Sequence, residues 1–401
     1  MYMPNIYGKN YINIYTFKLQ ELFLAIFSKI ILDFAQKKDI IVFAVKNFAE
    51  LCKGSTADSD SVCLGSNPSS AAKNSAGFFA CRVFNFTDRK SIMQLTAPLY
   101  YKQFKCIADK CRHGCCSRWE IDIDTPALEH YRALDNGIRD TIEFDNDGTA
   151  HFKLCKNGSC PHLTQNGLCS IILNHGNEYL CDICREHPRF YNNTGISVEV
   201  GLGASCEEAC RLILESEDYI TMQSIGNIDG QEEFLPDFFA VKERSRIYRT
   251  LSDTFLTYSE RLRALYKQYG VSPDILSDTE WQDIINSLEY LDSNNKALFS
   301  GYSYITQTPL ALQQLAERYL AYLIYRHTST AETKEDFCSA LGFCFFCERL
   351  LVYLLSKEKN ISIDTVIEYS RIISEEIEYS DRNTDTIMLE FDLFILNYLT
   401  N

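Results

Sequence analysis

Four cysteines crowded into KCIADKCRHGCCSRW, Lys105 to Trp119, constrain this chain more than any other stretch: Cys106, Cys111, Cys115 and Cys116. The thiols continue as Cys155-x4-Cys160-x8-Cys169-x11-Cys181-x2-Cys184 and end at Cys206-x3-Cys210, so most of the chain's 17 cysteines lie between Cys106 and Cys210. A disulfide scaffold, a metal site and a redox centre are the candidates. Disulfide-dense domains are small and secreted behind a signal peptide. The start, MYMPNIYGKNYINIYTFK, has no basic segment joined to an apolar run and a small-residue cleavage site. A reducing cytoplasm is expected, where clustered thiols are metal ligands or redox groups. Adjacent cysteines such as Cys115 and Cys116 cannot easily bridge each other, but both can face a metal site or serve two neighbouring ones. Packing as small apolar residues accounts for one or two thiols, not for a run of this density. A thiolate-rich set suits zinc or iron–sulfur clusters rather than magnesium or calcium. His113, His162, His175 and His187 lie nearby as candidates for mixed ligation.

The rest of the chain divides around this region. Leu19, Leu22, Phe23, Ile26, Phe27, Ile30, Ile31 and Phe34 recur at helical spacing, so residues 1–53 are expected to hold amphipathic packing helices. Glu21, Lys29 and Asp33 interrupt the run and argue against a transmembrane span. Residues 54–90 form a Ser/Gly/Ala/Asn-rich linker, with Cys52, Cys63 and Cys81 incidental in or near it. Residues 91–215 hold the cysteine-rich metal-cluster region. Within it WEIDID alternates like a short strand before a helix opening at Thr125-Pro126, and Ser205 with Glu208 forms a capping-box pattern that places Cys206 in a first helical turn. Residues 216–401 read as helix nearly throughout, with Gly270 as a helix stop. The expected fold is mainly α: an irregular metal-binding region with short strands, and a bundle-like helical C-terminal half.

A formal net charge of -15 opposes broad nucleic-acid binding. VEVGLGAS, Val198 to Ser205, imitates the strand and glycine loop of a doubly wound methyltransferase, but no alternation of strands and helices follows it. CFFC, Cys344 to Cys347, lies in an apolar helical run and reads as core.

APLYYKQFKCIADKCRHGCCSRWEIDID, CPHLTQNGLCSI, LCDICREHPRFY and SCEEACRLIL together resemble the flagellin lysine-N-methylase family, within a wider group of cysteine-rich zinc- or iron-chelating domains. The resemblance runs from about Pro98 to Leu214, and more loosely through YLIYRH and YSRIISEEIEYSDRN; residues 1 to about 90 have no counterpart. The matching thiols are Cys106, Cys111, Cys115, Cys116, Cys160, Cys169, Cys181, Cys184 and Cys206. Cys155 and Cys210 are extras, and His187 stands where an aromatic is expected. The resemblance implies methyl transfer from S-adenosylmethionine to lysines of flagellin with a [4Fe-4S] cluster, and enough sulfur remains for a zinc besides. Asp122, Asp124 and Glu207 are then candidate bases for the lysine, and Arg185 and Arg189 candidate partners of the cofactor carboxylate. A non-catalytic zinc- or iron-binding module is the rival, since spacing and composition alone support metal binding and no more.

Overall fold

The computed structural model describes residues 91–134, 137–195, 197–230 and 239–400. The expected helices of 1–53, the linker 54–90 and Cys52, Cys63 and Cys81 lie outside them. The described residues belong to one compact unit, Asp88–Asn401.

Strand β1, Ser91–Pro98, opens the unit and runs into a 3-10 turn, Leu99–Gln103. Helix α1, Thr125–Ala133, starts where Thr125-Pro126 indicated, its N-cap Asp124 accepting the Ala127 N–H. A hairpin of β2, Ile142–Phe144, and β3, Ala150–Phe152, follows, then short helices α2, Ser170–His175, and α3, Asp182–Glu186. Strands β4, Arg189–Asn193, and β5, Ser197–Leu202, lead into α4, Glu207–Glu215. Next comes β6, Met222–Gly230. The remainder is helical: α5 Phe239–Leu251, α6 Tyr258–Tyr269, α7 Asp278–Ser287, α8 Ser293–Phe299, α9 Gln313–His327, α10 Lys334–Ser356, α11 Ile363–Ile373 and α12 Asp381–Thr400. A five-residue π-turn, Ser374–Glu378, joins the last two. The fold is mainly α, as composition and periodicity indicated.

Three local expectations differ. WEIDID makes an isolated bridge, Asp122 to His151, not a strand. Cys206, not Ser205, is the N-cap of α4, and the Ser205 hydroxyl is buried without a partner. The nearly continuous helix expected after residue 215 is preceded by β6, which pairs antiparallel with β1 over its length. The four-stranded sheet has the order β4-β5-β1-β6, with β1 and β5 parallel, so VEVGLGAS is a true strand leading to a helix, but within a mixed sheet. A buried pair, Arg244 on Glu199, ties α5 to β5.

Two apolar cores result. The large one gathers α4 and the C-terminal helices around α10, whose residues Phe337 to Leu355 are all buried. Trp281 stacks on Phe346 at 4.4 Å, and Gly342 lets the Phe391 ring of α12 approach so closely that a β-carbon would lie 2.3 Å from it. Cys344 and Cys347 are core residues here, as their apolar setting indicated. α10 is long and apolar enough to cross a membrane, yet its apolar window is wholly buried in the fold. The small core holds Ile121, Ile123, Tyr131, Phe152 and Ile171, with Cys160 and Cys181 inside it and Cys116, Cys169 and Cys184 packed against it.

Candidate metal centre

The small core explains how loops with little regular structure bring distant thiols together. Cys160 donates its N–H to the Cys116 carbonyl at 2.7 Å, and Ser117 bridges Ser159, so the 116 and 160 segments lie side by side. Asp124 accepts the Ala127 N–H with one oxygen and the Asp182 N–H, at 2.6 Å, with the other. It thereby caps both α1 and α3, fixing Cys181 at the N-cap of α3 and Cys184 within it.

Every described cysteine is a free thiol. Cys116 bonds to Cys115, which lowers the Cys115 thiol to about 7. The same bond, burial and the neighbouring Cys115, Cys160 and Cys169 push Cys116 well up. Cys184 bonds to Cys181 likewise, lowering Cys181 and raising Cys184, which also senses Cys116 and Cys115. Burial lifts Cys206 to about 12, with Cys111 and Cys115 adding to the shift. Cys111 in turn senses Cys115 and Cys106. One thiol field thus spans all nine motif cysteines, with the adjacent pair Cys115 and Cys116 at its middle. Burial is the larger cause of the raised values at Cys111, Cys160 and Cys206, and the neighbouring sulfurs add to it. Among the described residues no three of these sulfurs draw within 4.8 Å of one another. A tetrahedral zinc, about 2.3 Å from each thiolate, holds its sulfurs about 3.8 Å apart.

The cysteine loop is fastened to the helical half. Glu207 accepts from the Arg112 N–H and guanidinium, both at 2.8 Å, and His113 meets Glu368 of α11 at 2.6 Å. Burial raises Glu207, but the bonds from Arg112 outweigh it and hold the carboxyl below its usual range. Trp119 sets its edge against the Tyr379 ring, 5.3 Å between centroids. Of the other sequence candidates, Asp122 is exposed. Arg185 is paired with Asp182 and bonded to the Leu180 carbonyl. Arg189 donates to the Tyr101 hydroxyl and lies over the Phe104 ring.

Beside the thiols lies a buried polar pocket to which the sequence assigned no role, although its residues fall in YLIYRH and YSRIISEEIEYSDRN. The Arg326 guanidinium lies 4.2 Å from the Tyr379 ring centroid and 5.2 Å from that of Phe190. His327 Nε2 meets Glu378 Oε2 at 2.9 Å, and Tyr322 donates to the same oxygen. Glu378 Oε1 is buried without a partner, as is His187 Nε2. Burial would raise Glu378, but His327, Arg326 and Tyr322 prevail and keep it ionised. Burial also lowers His327, more than Glu378 raises it, so the imidazole is neutral at neutral pH. The π-turn aims Glu378 inward; insertions of this type recur at functional sites. Gly203, three residues before Cys206, has no room for a β-carbon, which would sit 1.9 Å from the Tyr379 hydroxyl and 2.8 Å from Arg326 Nη1. Arg326 and His327 also line a cavity of about 400 Å³ with Thr330, Ala331, Glu332, Asp336, Ala340 and Met388. A larger depression, about 510 Å³, lined by Arg246, Arg249, Thr250, Asp253, Leu256 and Gln268, includes none of these groups.

Comparison with known proteins gives three curated relatives over a 137-residue stretch. The flagellar biosynthetic protein FliU of Salmonella muenchen is 26% identical, over 32% of this chain and 81% of its own length. Lysine-N-methylases of Salmonella typhimurium and Salmonella choleraesuis are 27% and 28% identical, over 32% of this chain and 34% of theirs. This chain is their distant relative. The match covers about a third of each methylase. No family model matches, and no solved structure does.

Proposed function

We propose that this chain methylates lysine side chains of flagellin, using S-adenosylmethionine and a [4Fe-4S] cluster held by thiols drawn from Cys106, Cys111, Cys115, Cys116, Cys160, Cys169, Cys181, Cys184 and Cys206. One observation carries the proposal: the cysteine loop is tied through Trp119 to Tyr379, the neighbour of Glu378, and Glu378 pairs with His327, which lines a cavity. A metal-storage module has no use for such a pair. The donor set fits the cluster. The thiols are soft and numerous, and they are spread more widely than one zinc ion requires. The partnerless Ser205 hydroxyl and His187 Nε2 mark polar capacity beside them.

When bound, the cofactor supplies an electrophilic methyl group on a sulfonium. The protein's share is to deliver a neutral amine, because a lysine ammonium, with an ordinary pKa of about 10.4, has no lone pair. Glu332 and Asp336 on the cavity wall attract the arriving cation. His327, neutral and donating Nε2–H to ionised Glu378, keeps its other ring nitrogen as acceptor for the ammonium proton. Glu378 then stabilises the imidazolium. The neutral amine would then be free to accept the methyl group that the bound cofactor would supply. Arg326, flanked by Tyr379 and Phe190, holds Glu378 and the aromatic wall in place. Expression of the thiol centre fits a reducing cytoplasm.

Intact-mass measurement of flagellin co-expressed with this chain at low oxygen tests the reading. Methyl-sized increments are expected with the wild type and none with Cys115→Ser/Cys116→Ser. His327→Gln should slow their appearance about 10²-fold or more. No increment with a folded, iron-loaded wild type would overturn the flagellin assignment and bring the metal module forward.

A further inference from the structure

The small core carries a second set of ligand-type side chains, on its outer edge and free of sulfur. Three extended segments lie side by side there. His151 of β3 stands opposite Glu143 of β2 on one side and bridges Asp122 on the other. Opposed residues in antiparallel pairs share a face, and so do residues two places along each segment. Glu120 and Asp145 therefore share the face of His151. Their ligand atoms and His151 Nδ1 all lie within 4.8 Å of one another, the group this tight found among the described residues.

The bond geometry within the group is unusual for a structural ion pair. His151 Nδ1 is 3.7 Å from Asp145 Oδ2 and 3.9 Å from Glu120 Oε1, too far for a charge-assisted hydrogen bond, which closes to about 2.7–2.9 Å. The same nitrogen is shut off from solvent and has no hydrogen-bond partner, on a side chain only 14% exposed. Neighbouring acids are engaged elsewhere: Glu143 by Lys153, and Asp147 by the Thr149 N–H. Asp145 is held by its backbone, its N–H donating to the Thr149 carbonyl and its carbonyl accepting from Gly148, so its carboxylate is left to face His151.

We propose that Glu120, Asp145 and His151 form a binding site for a divalent first-row transition-metal ion, zinc above all, distinct from the thiol centre. An ion about 2.0–2.2 Å from one imidazole nitrogen and two carboxylate oxygens fits between atoms spaced this way after a small inward movement. Three protein ligands leave a fourth position for water. The ion gives Nδ1 the partner it lacks and neutralises two crowded carboxylates. It also stitches the β2–β3 hairpin to the segment carrying Trp119, the residue that abuts Tyr379.

Manganese is the probe that separates this site from the thiols, because oxygen and imidazole ligands suit Mn²⁺ and thiolates do not. The full chain, purified without oxygen, would be titrated with Mn²⁺ while the free aquo ion is followed by electron paramagnetic resonance. One bound Mn²⁺ per chain is expected, displaced by Zn²⁺ added beyond what the thiols take up. Affinity should fall at least tenfold in His151→Asn and in the surface double variant Glu120→Gln/Asp145→Asn. It should persist in Cys115→Ser/Cys116→Ser and in Glu143→Gln. A wild type that binds no Mn²⁺ at millimolar concentration overturns the proposal. So does equal binding by the double variant, or equal weakening by Glu143→Gln, which would mean diffuse attraction to an acidic face.

Discussion

Gly203 is where the cysteine region and the helical half press hardest. A methyl group there meets the Tyr379 hydroxyl and the Arg326 guanidinium, both already fixed by packing. Gly203→Ala should cost about 1–3 kcal/mol, seen as a lower thermal midpoint, and should depress the proposed methyl transfer further by displacing Arg326 from Glu378. An unchanged midpoint with full activity would show that the tyrosine yields freely. His187 makes a pH prediction. Burial, with Arg326 adding to it, lowers the imidazole to about 4. Between its ordinary value near 6.5 and about 4 the unfolded chain binds more protons than the folded one. Stability therefore falls as pH drops through that window and levels off below it, by on the order of 3 kcal/mol. Urea midpoints from pH 7 to 4 should show the decline in wild type and a shallower one in His187→Asn; parallel declines would sink the assignment. At this scale the gathering of Cys116, Cys160, Cys169, Cys181 and Cys184 at one small core was foreshadowed by their crowding in the sequence. His327 and Glu378 were legible only as parts of similar segments. Nothing in either segment by itself says that a turn of α9 and a π-turn meet.

Helix ends were legible where the signal is local. Gly270 closes α6 in the left-handed conformation, φ 71°, and Thr125-Pro126 opens α1. The strands β1 and β6 were not, because each is completed by a partner far along the chain rather than by its own pattern. The N-cap of α4 shifted to Cys206 for a related reason: Gly203 N–H is taken by the Pro188 carbonyl, which fixes the entry to the helix from outside it. Asp124 shows an element-scale role in a residue first considered as a base. Its carboxylate caps α1 and α3 together, so Asp124→Ala strands two backbone N–H groups at an expected cost of about 1–3 kcal/mol. Because α3 carries Cys181 and Cys184, the variant should also retain less iron per chain. Asp124→Asn, which keeps one acceptor oxygen, should fall between; iron content equal to wild type in both variants would dissociate the cap from the thiols.

The whole unit has one core that stands on hydrocarbon and one that includes thiols. The large core is sealed by aromatic and aliphatic side chains from α4 to α12. The small core counts Cys160 and Cys181 among its buried members, so crowded thiols sit where apolar contacts would otherwise do the holding. Removing metal with a chelator under reducing conditions should therefore loosen the two unequally. Hydrogen exchange is expected to rise at least tenfold across residues 116–184 while α9 and α10 keep their protection. A uniform rise would mean that the two cores unfold as one.

α10 has a further consequence, at the ribosome. It is the most apolar helix described, and its cover includes α12, whose Phe391 seats against Gly342. During synthesis that greasy helix emerges well before the segment that seals it. For that interval the nascent chain displays what a membrane-insertion or chaperone system recognises, so the arrival of α12 decides whether the first product is a folded protein or a client.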